Sequence, residues 1–153
     1  MVSAVKWETA VSSGVTLDIS AINSLANNTM SNASSAYDNS VSANLNTLVL
    51  FRLRTQFSVA PSDANPTIEL YGSRSINGGS TYENDPLTGG ANQGHMHLDS
   101  FPVTKVTSAQ EIIIGPVPLL PLHYKYFLDN QAGQPTTTTS NTLDIGIMNL
   151  EGQ

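Results

Sequence analysis

His95, His97 and Asp99 are spaced two residues apart, so on an extended strand all three side chains leave from one face. Imidazoles and a carboxylate in that pattern are ligands for a transition metal. The same alternation arises whenever a half-buried strand turns its polar face to water, and no fourth ligand has an obvious placement. The plain strand reading is preferred, and no metal is expected. The 12 Asp and Glu residues allow many candidate glycosidase pairs, but none stands in a recognisable motif. Ser, His and Asp are all present, yet no Gly-x-Ser-x-Gly elbow occurs. Gly78-Gly79 and Gly89-Gly90 also lack the pattern that cradles phosphate. Asp63-x-Asn65 and Asn84-Asp85 offer oxygen ligands without the full calcium-loop signature. The chain is read as no enzyme, with no catalytic residue and no cofactor.

Trp7, Tyr71, Tyr82, Tyr124 and Tyr126 are the residues on which a sugar ring could stack, and Tyr124 and Tyr126 share one strand face. The preferred reading puts one or both in the core, with the hydroxyl at its rim.

The elements that would position these groups are strands. In Asn44 to Phe57, the residues Val49, Phe51, Leu53, Thr55 and Phe57 fall on one face of a period-two pattern. The other face begins with Leu48 and Leu50 and then turns polar at Arg52, Arg54 and Gln56. This pattern predicts a central strand, with the Arg52/Arg54 end meeting water or a partner.

Before it, Val15 to Ile19 reads as a strand and Ala21 to Ala26 as a brief helical turn capped by Ser20. The Ser-rich stretch 31–42 reads as a polar edge strand. After it, Thr67 to Tyr71 and His95 to Val103 alternate, and Asn77-Gly78 supplies the positive φ angles of a tight hairpin turn. Glu111 to Ile114 reads as a short buried strand, and Gly115 to Pro121 as a rigid extended connector barred from a central ladder by its prolines. Tyr124 to Leu128 and Thr142 to Met148 complete the set. About eight antiparallel strands and no substantial helix predict an all-β chain: one jelly-roll-like β-sandwich over residues 15–153, preceded by an N-terminal arm over 1–14.

The net charge is −6, and the six cations (Lys6, Arg52, Arg54, Arg74, Lys105, Lys125) are scattered, which leaves no basic footprint for nucleic acid. The absence of cysteine excludes disulfides and thiolate metal sites. No apolar run approaches the roughly 18 residues of a membrane span, and the N-terminus lacks a signal-peptide core, so the chain is expected to work in solution.

The run from Gly115 through Tyr124-Lys125-Tyr126-Phe127-Leu128-Asp129-Asn130, Gly133 and Ser140-Asn141-Thr142-Leu143 carries a resemblance, together with Ile68 to Tyr71 and Ser75 to Tyr82. From Leu48 onward the chain resembles small virion proteins of tailed bacteriophages, of the capsid cement or decoration type. The resemblance implies a structural protein on the outer capsid surface of the virion, assembled in the host cytoplasm. Its partner would be the major capsid protein, across whose subunit seams it would lie, and its own state a homo-oligomer, expected as a trimer on a symmetry axis. It supplies no catalytic residues. Partner-contact candidates are Val5 and Trp7 on the arm and Arg52 and Arg54 on the central strand. The alternatives are a phage tail, fibre or baseplate component and a carbohydrate-binding β-sandwich module.

Overall fold

A computed structural model describes residues 5–7, 15–17, 22–40, 48–83, 96–148 and 150–152. The elements in chain order are β1 (Val5–Trp7), β2 (Val15–Leu17), β3 (Thr29–Met30), β4 (Tyr37–Asp38), β5 (Leu48–Thr55), β6 (Thr67–Ser75), β7 (Met96–Pro102), β8 (Gln110–Pro118), β9 (His123–Gln131), β10 (Thr142–Met148) and β11 (Leu150–Gly152). There is no α-helix among the described residues, and every pairing is antiparallel.

One sheet runs β2-β10-β5-β8; the other runs β3-β9-β6-β7, with β4 also paired to β9. Counting β3 and β4 as one interrupted strand gives eight positions along the chain. The first sheet then takes the first, eighth, third and sixth, and the second sheet the second, seventh, fourth and fifth. That order is the jelly roll, a double-sheet arrangement of two Greek keys. β1 and β11 form a separate two-stranded ribbon, Val5 opposite Gly152 and Trp7 opposite Leu150.

The period-two pattern of β5 sets the core. Val49, Phe51, Leu53 and Phe57 are 0% exposed, and Thr55 lies on the same buried side. Facing them from the second sheet are Ile68 and Leu70 of β6 and Tyr124, Tyr126 and Leu128 of β9, all buried. Full burial of each aliphatic or aromatic side chain contributes roughly 1.5–3 kcal/mol, so this inter-sheet layer dominates the stability.

The Ser-rich segment is structural, though less regular than an edge strand. Between β3 and β4 the chain leaves the ladder, and serine hydroxyls take the place of missing carbonyls: Ser31 Oγ accepts from Leu128 N–H at 3.0 Å and Ser34 Oγ from Tyr126 N–H at 2.9 Å. A short side chain that accepts from the neighbouring backbone is what the segment needs, hence Ser rather than Val.

Several local expectations are corrected. The expected helical turn is shortened: Ile22 is 3₁₀, residues 23–24 turn with Ser24 at φ 60°, and Ile22 and Leu25 are both buried; Ser20 and Ala21 lie outside the described residues. Gly115 to Pro118 belong to β8, which holds Pro116 and Pro118 because it is an edge strand carrying a bulge opposite Val49 to Phe51. The peptide Gly115-Pro116 is cis. Ile113, expected to be buried, faces outward at 59% exposure, since only alternate residues of β8 face the core.

Asn77-Gly78 does not close a two-residue hairpin. Asn77 Oδ1 accepts from Ser75 Oγ at 2.7 Å and from Thr81 N–H at 3.0 Å, and Glu83 N–H returns to Arg74 O at 2.8 Å. The turn folds back on the end of β6 before the chain reaches β7. An asparagine side chain that mimics a backbone turn competed successfully with the hairpin.

Candidate functional site

The polar groups that the sequence offers for chemistry meet on the outward side of β6 and β7. The pairing of these strands shifts between Leu70 and Tyr71, so that Leu70 pairs with Asp99 and Tyr71 with His97, leaving Leu98 as the extra residue. A bulge of this kind changes the phase of the alternation. His97 and Ser100, three apart, therefore reach the same carboxylate: His97 Nε2 lies 2.8 Å from Glu69 Oε2, and the Ser100 hydroxyl donates to that same oxygen. Asp99 is turned away from them, its Oδ1 accepting from the Ser100 N–H at 2.8 Å. His97 and Asp99 thus do not share a site, and His95 lies outside the described residues. Among the described residues no three His, Asp or Glu side chains are gathered to hold a metal ion.

Ser100, His97 and Glu69 are the residue types of a nucleophilic triad, but their wiring differs. In such a triad the base contacts the nucleophile with one ring nitrogen and the acid with the other. Here Glu69 Oε2 receives both partners, and Ser100 Oγ stands 3.4 Å from the same Nε2 that meets the acid. The cluster holds an anion. Burial alone would raise the Glu69 pKa, but hydrogen bonds from Ser100, Thr67 and His97, with the His97 charge, outweigh it and set the carboxyl below its ordinary value. Burial, and after it the charges of Asp129 and Glu69, pushes the Tyr71 hydroxyl upward. Asp129 sits directly opposite Glu69 in the β6–β9 register and is steadied by Gln131 Nε2 at 3.0 Å.

Tyr124 and Tyr126 fill the core. They stack at 6.1 Å, and Tyr126 meets Phe51 edge-on at 5.0 Å. Tyr124 keeps its hydroxyl satisfied, accepting from Leu120 N–H at 2.9 Å and donating to Leu120 O at 3.2 Å. The Tyr126 hydroxyl is fully enclosed and has no hydrogen-bond partner among the described residues, so it does not reach a rim as expected. Of the remaining tyrosines, Tyr71 lies edge-on to His97 at 5.2 Å, and Lys125 Nζ sits 4.5 Å over the Tyr82 ring.

Arg52 and Arg54 project from the outer face of the other sheet. Arg52 Nη2 and Nε donate to Asp144 Oδ2 at 2.7 and 3.0 Å, Thr16 Oγ1 donates to Asp144 Oδ1 at 2.8 Å, and Arg54 Nε donates to Glu111 Oε2 at 2.8 Å. Glu111 also stands 3.9 Å from Arg52 Nη1. The two arginines are thus joined in one network spanning β2, β10, β5 and β8. The other two contact candidates, Val5 and Trp7, lie on the terminal ribbon, away from this network in the strand order.

Sequence reasoning did not find Glu69, Ser100, Thr16, Glu111 or Asp144 as partners. Each follows from cross-strand register, which a sequence shows only once the strand order is known; the single local signal was the polar face of β5. Asp63 and Asn65 lie in a turn where Ser62 N–H and Asp63 N–H donate to Ala132 O at 3.1 and 3.4 Å, and Asn84-Asp85 falls outside the described residues.

No protein-family model matches the chain, and no curated protein matches it either.

Proposed function

We propose that the chain is a non-enzymatic virion structural protein of a tailed bacteriophage, a capsid cement that lies on the outside of the shell across the seams between major capsid protein subunits. The observation that carries this reading is the strand order β2-β10-β5-β8 over β3-β9-β6-β7, the jelly roll used by viral capsid and lectin domains. It joins the resemblance of the segments from Leu48 onward. The net charge of −6 suits an outer surface, away from packaged DNA.

Each copy adds buried area to a subunit seam, and several weak contacts on one lattice reinforce one another through effective concentration. The terminal ribbon that carries Val5 and Trp7 serves in this reading as the arm that reaches a neighbouring subunit. Two three-residue strands make too small a sheet to be stable alone, so docking would contribute to its order.

The test is reattachment. Purified protein is mixed with shells that lack it, and the shells are sedimented and heated. Co-sedimentation and a raised temperature of shell disruption support a cement, and loss of both on deletion of residues 1–12 assigns the arm. Shells that neither bind nor gain stability would remove the proposal.

A further inference from the structure

We infer that the outer face of the β2-β10-β5-β8 sheet is a contact between two copies of this chain, related by a two-fold axis that runs parallel to β5 and β8 and lies between them. The residues of that face are fixed by register. Thr16, Asp144, Arg52 and Ile113 form one row across the four strands, and Thr142, Arg54 and Glu111 form the next. Ile113 is 59% exposed in its row, and the side chains of Arg54 and Glu111 are each about half exposed. The opposite sheet offers less open surface, because the outward-facing Phe127 and Asp129 are already enclosed by the chain itself.

Charge selects a second copy as the occupant. The chain carries −6, so two copies repel over most of their surfaces. On this face two arginines meet two carboxylates and the sum is zero, so the face itself adds no repulsion between copies. The arrangement is also self-complementary. With the axis between β5 and β8, β5 of each copy lies over β8 of the other, so that Arg54 faces Glu111 of the second copy and the reverse contact repeats it. Among the described residues Arg54 meets its own Glu111 through Nε alone, which leaves its terminal nitrogens for a second carboxylate. The methylene stem of Arg52 then lies over Ile113 of the second copy. Pairing by sheet edge is disfavoured: β8 carries Pro116 and Pro118 and a bulge, and β2 is three residues long.

A two-fold pair differs from the trimer that the phage resemblance implies, and the pair stands or falls independently of attachment to a shell. Light scattering and sedimentation equilibrium on the full chain, from micromolar to submillimolar concentration, decide it. The expected result is a mass rising from 16.3 kDa to twice that value, with association weakened by salt. Ile113→Asp and Glu111→Arg should each raise the dissociation constant by at least about tenfold while the thermal unfolding curve shows an intact fold. Glu111→Arg combined with Arg54→Glu should bind more tightly than Glu111→Arg alone, because the pairs between positions 54 and 111, internal and cross-copy, re-form with reversed sign, while Arg52 loses its contact with Glu111 in both. A monomer at every concentration, a trimer, or a dimer indifferent to Ile113→Asp would overturn the inference.

Discussion

Arg52 and Asp144 face each other across the β5–β10 ladder, with two guanidinium nitrogens directed at one carboxylate oxygen while Thr16 holds the other oxygen. Asp144 is 5% exposed, so one carboxylate joins three neighbouring strands of the sheet. Asp144→Ala should lower stability by about 1 kcal/mol, with Asp144→Asn milder because an acceptor remains. Urea denaturation checks this, and an unchanged midpoint for the alanine variant would show that the network is ornamental.

Glu69 makes stability depend on pH. Its folded pKa lies below the ordinary value of 4.5, so its contribution is fully present above that value and is lost as pH falls from about 4.5 through the folded pKa. Glu69→Gln should flatten the acid limb of the stability curve in that window. Urea midpoints measured between pH 3 and 7 should converge for the two proteins at the acid end, and parallel curves would contradict the assignment.

The two stacked core tyrosines should respond oppositely to loss of the hydroxyl. Tyr124→Phe removes a group that both donates to and accepts from Leu120 and should cost about 1 kcal/mol. Tyr126→Phe removes an enclosed hydroxyl that has no partner among the described residues and should leave stability unchanged or raise it by up to about 1 kcal/mol. Comparable losses in both would mean that Tyr126 has a partner after all.

Two glycines at positive φ should differ in their tolerance. At Gly115 (φ 106°) an added Cβ would stand 2.9 Å from Val49 O, whereas at Gly78 (φ 69°) it would meet nothing within 4 Å. Gly78→Ala should cost only the backbone strain, about 1 kcal/mol, and Gly115→Ala clearly more, because the β5–β8 bulge must shift. Thermal melts of the two variants give the order, and equal shifts would refute it.

The buried polar net at one end of the sandwich should be the least forgiving region. Asn130 Nδ2 donates to Leu25 O and Gln134 O while its Oδ1 accepts from Ala132 N–H, and Thr136 Oγ1 joins Ile22 O to Leu25 N–H. Asn130→Ala strands two backbone groups, Gln134 O and Ala132 N–H, while Leu25 O keeps the Thr136 N–H, and should cost at least about 2 kcal/mol. A denaturation midpoint near that of the parent would show that water replaces the amide.

The fold was legible where hydrophobic alternation was strong. Val49 to Phe57 announced both the central strand and its buried side, and Leu143 and Ile145 did the same for β10. What the sequence did not show were features set by partners far along the chain. The bulge opposite Leu70, which parts His97 from Asp99, depends on how β6 and β7 pair; the serine bonds of Ser31 and Ser34 depend on β9; Pro116 and Pro118 could join β8 because that strand lies at an edge. The same holds for the charged face. Arg52 and Arg54 were visible as a polar stripe, but their carboxylates lie 92 and 57 residues away in sequence, beyond any local pattern.

The central claim, a cement on a phage shell, is tested most directly by counting. Quantitative mass spectrometry of purified source particles gives the ratio of this chain to the most abundant shell protein. The account predicts a ratio approaching that of the shell protein, as a lattice decorator requires. A trace ratio would contradict it and point to a tail component, and absence from the particles would contradict a virion role altogether.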